Sequence, residues 1–273
     1  MNERAVTAKK AVQRLADAGL RLFTIDDLVD QTGLDRRAAT HLAYRMARAG
    51  LTRRLRRGRY ALLEPADWEQ ETFLTNWYLA AAHLVAPGPY YLAYYTAMEL
   101  HQMLQHPLRT VFVAVPRARA LVTLGTTRIR FVTVKRERLF GFEERQVEAG
   151  RAVNVADLER TFLDAVDRPD LCGGIEEVFR GFARRHRDLN GDRLLKYVGR
   201  FDRPAVTKRL GFLLEAAGVG DPELLWEIER LAGRTRHYYP LVKGQEVEGA
   251  DRNKRWELLI NTDLQKLLRA ART

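Results

Sequence analysis

Three observations predict an α+β fold for this chain. Apolar residues recur at helical spacing through the first fifty positions, and an arginine-dense run with a glycine in it follows. Several short apolar or alternating stretches between residues 110 and 150 then read as strands of a mostly antiparallel sheet. From about residue 153 the spacing turns helical and stays so nearly to the end.

The 273 residues are 46% hydrophobic, enough for two cores, and no stretch approaches the roughly 18 consecutive apolar residues that span a bilayer. No apolar signal core follows MNERAVTAKK, and the single cysteine, Cys172, excludes an internal disulfide framework. A cytoplasmic protein without membrane contact is expected. The formal charge of +11 is uneven. Residues 1–65 carry 14 Lys+Arg against 7 Asp+Glu, or +7; the other 208 residues carry 32 against 28, or +4. Such local excess is the pattern of a phosphate-binding surface. Glu64, Pro65 and the acidic positions 67–71 reverse the charge, so domains are expected over 1–65 and 66–273, the second sheet-rich over about 66–152 and helix-rich over about 153–273.

In the first domain, TAKKAVQRLADAG places Ala8, Val12, Leu15 and Ala16 on one stripe, with Gly19 as a stop. A short LRLF segment follows. Thr24 and Asp27 form a capping-box variant ahead of Ile25, Leu28 and Val29; Gly33 closes that helix, and Asp35 caps the next, residues 36–49. Two helices joined by a short glycine-containing turn have helix-turn-helix spacing. In the last helix Leu42, Ala43 and Met46 share the side of Ala39. Arg37, His41, Tyr44 and Arg48, flanked by Thr40 and Arg45, take the opposite side. A solvated basic helix is the plainer alternative. Next come five arginines in seven positions, 53–59. Gly58 can turn a strand ending near Leu55 into one over residues 59–62, with Leu51 and Leu55 on one face of the first and Tyr60 and Leu62 on one face of the second. The order helix, helix, basic helix, basic hairpin predicts a winged helix-turn-helix. Arg36, Arg37, Thr40, His41, Tyr44, Arg45 and Arg48 would enter the major groove of double-stranded DNA, with Arg53, Arg54, Arg56, Arg57 and Arg59 on the backbone.

In the second domain a helix is expected over 69–85 (Phe73, Trp77, Ala81, Leu84), ended by PGP. YYLAYYTAMELHQML passes from extended to helical. TVFVAV, ALVTL, RIRFVTV and ERQVEAG read as strands. Five helices follow, beginning with VADLERTFLDAVD, and the final RWELLINTDLQKLLRAA reads as strand then helix. The tyrosines Tyr90, Tyr91, Tyr94 and Tyr95 suit core and rim positions.

Chemistry is sparsely signalled. The chain contains no serine, so serine nucleophiles are out, and no GxxxxGK[ST] phosphate cradle occurs. Cys172, before Gly173 and Gly174, sits where a helix start could lower a thiol's pKa, but it has no assigned histidine partner and reads as structural. His101 and His106, five apart, diverge on a helix and make a poor metal pair; His83, His186 and His237 are isolated. No cofactor and no metal site is expected. The acidic run NVADLERTFLDAVDRPD holds Asp157, Glu159, Asp164, Asp167 and Asp170. Asn154 with Asp157 fits a helix cap, Glu159 and Arg160 can pair with neighbours, and Asp164 suits a buried hydrogen bond. An enzymatic alternative, a nuclease or phosphotransferase holding its substrate with the winged helix, rests on this run alone.

RRGRYALL, YYLAYYTAMELHQM with VFVAVP, and above all GRAVNVADLERTFLDAVDRP followed by GG resemble the AbiEi antitoxins of type IV (AbiE) toxin–antitoxin, or abortive infection, systems. The likeness covers residues 1 to about 220, with YYPLVKG and WELLIN weaker echoes beyond. It implies a non-enzymatic transcriptional regulator that binds inverted repeats in its own promoter and represses its operon. It also implies a C-terminal domain that opposes a nucleotidyltransferase toxin without requiring a stable complex. Asp157, Glu159, Arg160 and Asp164 carry over as motif members only, with no role attached.

Overall fold

The structure, a computed structural model, describes residues 7–63, 76–104, 109–124, 126–218, 221–233, 235 and 237–270. The charge reversal at residues 64–71, Phe73 with the start of the helix expected from residue 69, and His106 lie outside these. The protein is α+β.

Residues 7–63 form helix α1 (Ala8–Asp17), strand β1 (Leu22–Thr24), helices α2 (Ile25–Thr32) and α3 (Arg36–Arg48), and the hairpin β2 (Thr52–Arg56) and β3 (Arg59–Leu62), with the three strands ordered β1-β3-β2. Local chemistry sets the boundaries. Thr24 and Asp27 make the reciprocal capping box, and Gly33, at φ 71°, ends α2 in the left-handed region that favours glycine. The Asp35 carboxylate accepts from the Ala38 amide at 2.9 Å and starts α3. Ala11, Leu15, Phe23, Leu28, Leu42 and Met46 close a small core with Tyr60 and Leu62 from β3.

The rest is built on a six-stranded sheet of β4 (Tyr91–Leu92), β5 (Thr110–Val115), β6 (Val122–Leu124), β7 (Thr127–Thr133), β8 (Phe142–Glu148) and β9 (Arg151–Ala156), ordered β6-β7-β5-β4-β9-β8. The β5–β7 and β4–β9 pairings are parallel and the other three antiparallel. Helices α4 (Trp77–Val85) and α5 (Tyr95–Leu100) precede and follow β4. The helical half comprises α6 (Leu158–Asp167), α7 (Ile175–Arg185), α8 (Gly191–Phe201), α9 (Pro204–Ala216), α10 (Pro222–Ala232) and α11 (Leu264–Ala270). Pro204 and Pro222 open their helices where an amide hydrogen would have no partner. A small sheet of β10 (Tyr239–Pro240), β11 (Asp251–Asn253) and β12 (Leu258–Ile260) carries the C-terminal segment, and Trp256 packs on α9 over Gly211, where a β-carbon would lie 2.1 Å from the indole.

The structure corrects two local expectations. Residues 151–156 are a strand, so Asn154 lies within β9, and Asp157 is itself the N-cap of α6, accepting from the Arg160 amide at 2.8 Å. The Asn-x-x-Asp spacing misled because sheet pairing claims Asn154. In the hairpin, a register irregularity between Arg54 and Arg56 turns Leu55 away from the small core. Leu55 and Ala61 join the large core, while Tyr60 and Leu62 stay with the small one. The hairpin thus gives side chains to both cores and links the N-terminal unit to the body. Arg151 adds to this by donating to the Gly19 carbonyl at 2.7 Å.

Candidate nucleic-acid interface

Helix α3 is sharply two-sided. Ala39, Leu42, Ala43 and Met46 are fully buried, whereas Arg37, His41, Tyr44, Arg45 and Arg48 are exposed, Tyr44 at 59%. Among the described residues no carboxylate pairs with Arg37, Arg45 or Arg48. Arg48 lies 6.0 Å from the Tyr44 ring centroid, a loose cation–π contact on the same outward face. Two residues expected on this surface already have partners. Arg36 pairs with Asp26 of α2, and the Thr40 hydroxyl donates to the Arg36 carbonyl at 2.7 Å. The Arg36–Asp26 pair is well exposed, so it holds the arginine only weakly.

On the hairpin, Arg53, Arg54, Arg56 and Arg57 are exposed. Arg59 differs from the expectation of a free wing arginine. Its guanidinium donates to the Ala86 carbonyl at the end of α4, where Arg119 donates to the Leu84 carbonyl at 2.9 Å and to that of Val85 at 3.3 Å. The last carbonyls of a helix lack internal partners and attract cations, and two arginines supply them here. Burial, then Arg119 and Arg56, hold the Arg59 pKa below its ordinary value. Arg117 and Arg119, which reading the sequence did not single out, join Arg56, Arg57 and Arg59 around one depression of about 510 Å³. Their signal was the basic PRARA loop between two apolar strands.

The acidic motif is used inward. Asp157, Glu159, Arg160 and Asp164 are all buried. Besides capping α6, Asp157 accepts from the Tyr197 hydroxyl at 2.7 Å. Glu159 accepts from the Asn190 amide at 2.7 Å and pairs with Arg193 at 2.8 Å. Asp164 receives Arg160 Nε at 3.0 Å and the Tyr91 hydroxyl at 3.2 Å, and Arg160 Nη2 reaches the Tyr91 oxygen at 2.7 Å. Burial pushes the Asp164 carboxyl up, against the pull of Arg160. The guanidinium carbon of Arg160 also lies 4.5 Å from the Phe140 ring centroid and 5.1 Å from that of Phe201. This network ties α6 to β4 and to α8.

The remaining candidates are also inward-facing. Cys172 is fully buried and burial drives its thiol pKa well up, the reverse of activation. His101 contacts the Ala156 carbonyl at 2.7 Å, and burial lowers its pKa. Tyr91 and Tyr94 are core residues, while Tyr90 and Tyr95 are half-buried. Among the described residues no group of three or more His, Cys, Asp or Glu side chains is placed to hold a metal ion, and no helix is long and apolar enough to cross a membrane.

Comparison with known proteins bears on both halves. The sequence matches no curated protein. The crystal structure of the RV2827C protein from Mycobacterium tuberculosis superposes with a TM-score of 0.70 at 16% identity, covering 97% of this chain and 94% of that one, a likeness of fold. Residues 91–216 match the family model of the AbiEi antitoxin C-terminal domain. That span runs from β4 through the buried network to the end of α9. Over residues 91–216 this chain is therefore similar to the C-terminal domain of the AbiEi antitoxins.

Proposed function

We propose that residues up to about 65 are a winged helix-turn-helix that binds duplex DNA sequence-specifically, that the protein represses its own operon through paired inverted repeats, and that the domain after residue 65 opposes a nucleotidyltransferase toxin. The observation that carries the DNA-binding part is the outward face of α3. Arg37, His41, Tyr44, Arg45 and Arg48 project together from a helix whose other face is wholly buried, and the arginines among them have no carboxylate partner among the described residues. Like charges gathered without acids repel one another, and a polyanion relieves that repulsion while releasing its counterions. The side chains are of the types that read base edges in a major groove. Arg54, Arg56 and Arg57 extend the cationic surface along the hairpin.

Fluorescence anisotropy with the chain's own upstream DNA tests this. A salt-dependent affinity well above that for random duplex is expected, and equal, salt-insensitive binding to both would sink the reading. The toxin part is tested by co-expression with a nucleotidyltransferase-type toxin from the same operon. Growth is expected to be rescued by the full chain, including when Arg37→Ala has removed operator recognition.

A further inference from the structure

A second cationic site lies on the far side of the buried network, in the helical half. A cavity of about 930 Å³ opens where the end of β7 meets α6, the start of α7, the end of α8 and the loop after β10. That is within the size range of sites for small ligands and cofactors. Six cations line it: Lys135, Arg138, Arg160, Arg168, Arg203 and Lys243. Three carboxylates line it too, and each is already neutralised from within: Asp164 by Arg160, Asp167 by Arg203, and Asp170 by Arg168 at 2.6 Å. Six against three leaves a surplus of +3, carried by Lys135, Arg138 and Lys243. Among the described residues Lys135 has only a long, exposed contact of 3.7 Å to Glu137. Arg138 meets no carboxylate among the described residues; it donates to the Phe201 carbonyl at 3.3 Å and stacks on that ring.

Two further features favour an anion. Arg160 Nη1 is buried with no hydrogen-bond partner, in a side chain only 1% exposed that lines this cavity. Beside it begins α7, an eleven-residue helix whose N-cap, Gly174 at φ 94°, offers no side chain, so its first amides are uncapped. The first-turn acids of α7 are paired elsewhere, Glu177 with Arg180 and Glu176 with Lys266 at 2.7 Å. Uncapped amides at the positive end of a helix dipole are ready anion donors.

We propose that this cavity binds a small phosphorylated anion carrying adjacent phosphates, of the class of pyrophosphate and nucleoside triphosphates. The phosphates sit between the α7 N-terminus and the Arg138–Lys243 rim. This goes beyond the DNA reading and does not depend on it.

Calorimetric titration of the full chain with pyrophosphate, ATP and adenosine tests it. Saturable one-to-one binding of pyrophosphate and ATP is expected, with none of adenosine. ATP binding more tightly than pyrophosphate would identify a nucleotide site; equal affinity would identify a site for the phosphates alone. Lys243→Glu, at an exposed position, and Arg138→Ala should each weaken binding about tenfold or more, the loss expected for one charge-assisted contact. Arg57→Ala on the hairpin should leave it unchanged. The proposal is overturned by absence of binding of both pyrophosphate and ATP, by binding unaffected in Lys243→Glu, by equal binding of adenosine, or by binding lost in Arg57→Ala. Operator affinity measured on the same variants separates failure here from failure of the DNA reading.

Discussion

The two ends of this molecule use the same residue types in opposite ways. On α3 and the hairpin, Arg37, Arg45, Arg48, Arg54, Arg56 and Arg57 are exposed and have no carboxylate partner among the described residues. On α6, arginine and carboxylates are buried and satisfy one another almost completely. A charged group removed from water must find its counter-charge inside the fold, whereas one left in water with only like neighbours is free to meet a partner from outside. The acidic motif, where reading the sequence weighed a catalytic role, joins sheet to helices through its buried contacts. The surface proposed to meet DNA is the plainer basic helix.

The contrast can be broken most severely at the buried pair. Asp164→Asn keeps the shape of the side chain but strands the Arg160 charge, and should cost about 3–5 kcal/mol in urea unfolding; a loss no greater than that of a surface substitution would mean the network does not hold α6 to β4. Gly211→Ala forces a methyl into the Trp256 indole and is expected to cost about 1–3 kcal/mol by overpacking, read as a lower Tm with α10 and the C-terminal segment loosened first.

At the exposed end stability should barely move while binding does. Arg37→Ala or His41→Ala should reduce discrimination between operator and random duplex by about 1–3 kcal/mol, with unchanged unfolding curves. Arg57→Ala should weaken binding to every sequence alike and lower the slope of log affinity against log salt by roughly one phosphate's worth. Arg59→Ala should behave differently from Arg57→Ala. Because Arg59 supplies the end of α4, its loss should lower Tm as well as affinity.

The mildest expected effect lies at the seam between the two regions. His83 on α4 is held down to about 4, first by burial and then by Arg59. The folded protein binds this proton less readily than the unfolded chain, whose histidine titrates near 6.5. His83 therefore contributes no penalty above pH 6.5, and stability falls as pH drops from there towards 4. His83→Gln should flatten that part of the stability–pH curve, provided the variant folds with wild-type Tm at neutral pH.

Much of the N-terminal unit was legible because its determinants are local. The Thr24–Asp27 box, Gly33, the Asp35 cap and the stripe of Ala39, Leu42, Ala43 and Met46 each act within a turn or two of chain. The body was legible as a succession of strands and helices, with the last two residues of β9 read as the start of the helix after it. What escaped was pairing over distance. No local pattern reveals that β4 lies beside β9, or that Leu55 crosses to the larger core. The burial of α6 on nearly all sides also escaped, because a helix covered all round shows no outward stripe to read.

From the chain alone came the places where α1, α2 and α3 start and stop, the segregation of positive charge near the amino end, and the two-sidedness of α3, since short-range hydrogen bonding and side-chain periodicity dictate all of these. Tertiary structure alone decided which charges stay in solvent. Arg57 and Arg59 differ by two positions in one arginine run, yet only Arg59 meets the carbonyls of α4, and Arg160 finds its carboxylate beneath three aromatic rings. Whether a charge is free or spent depends on what the fold brings within a few ångströms, and that neighbour is set by packing across the whole chain.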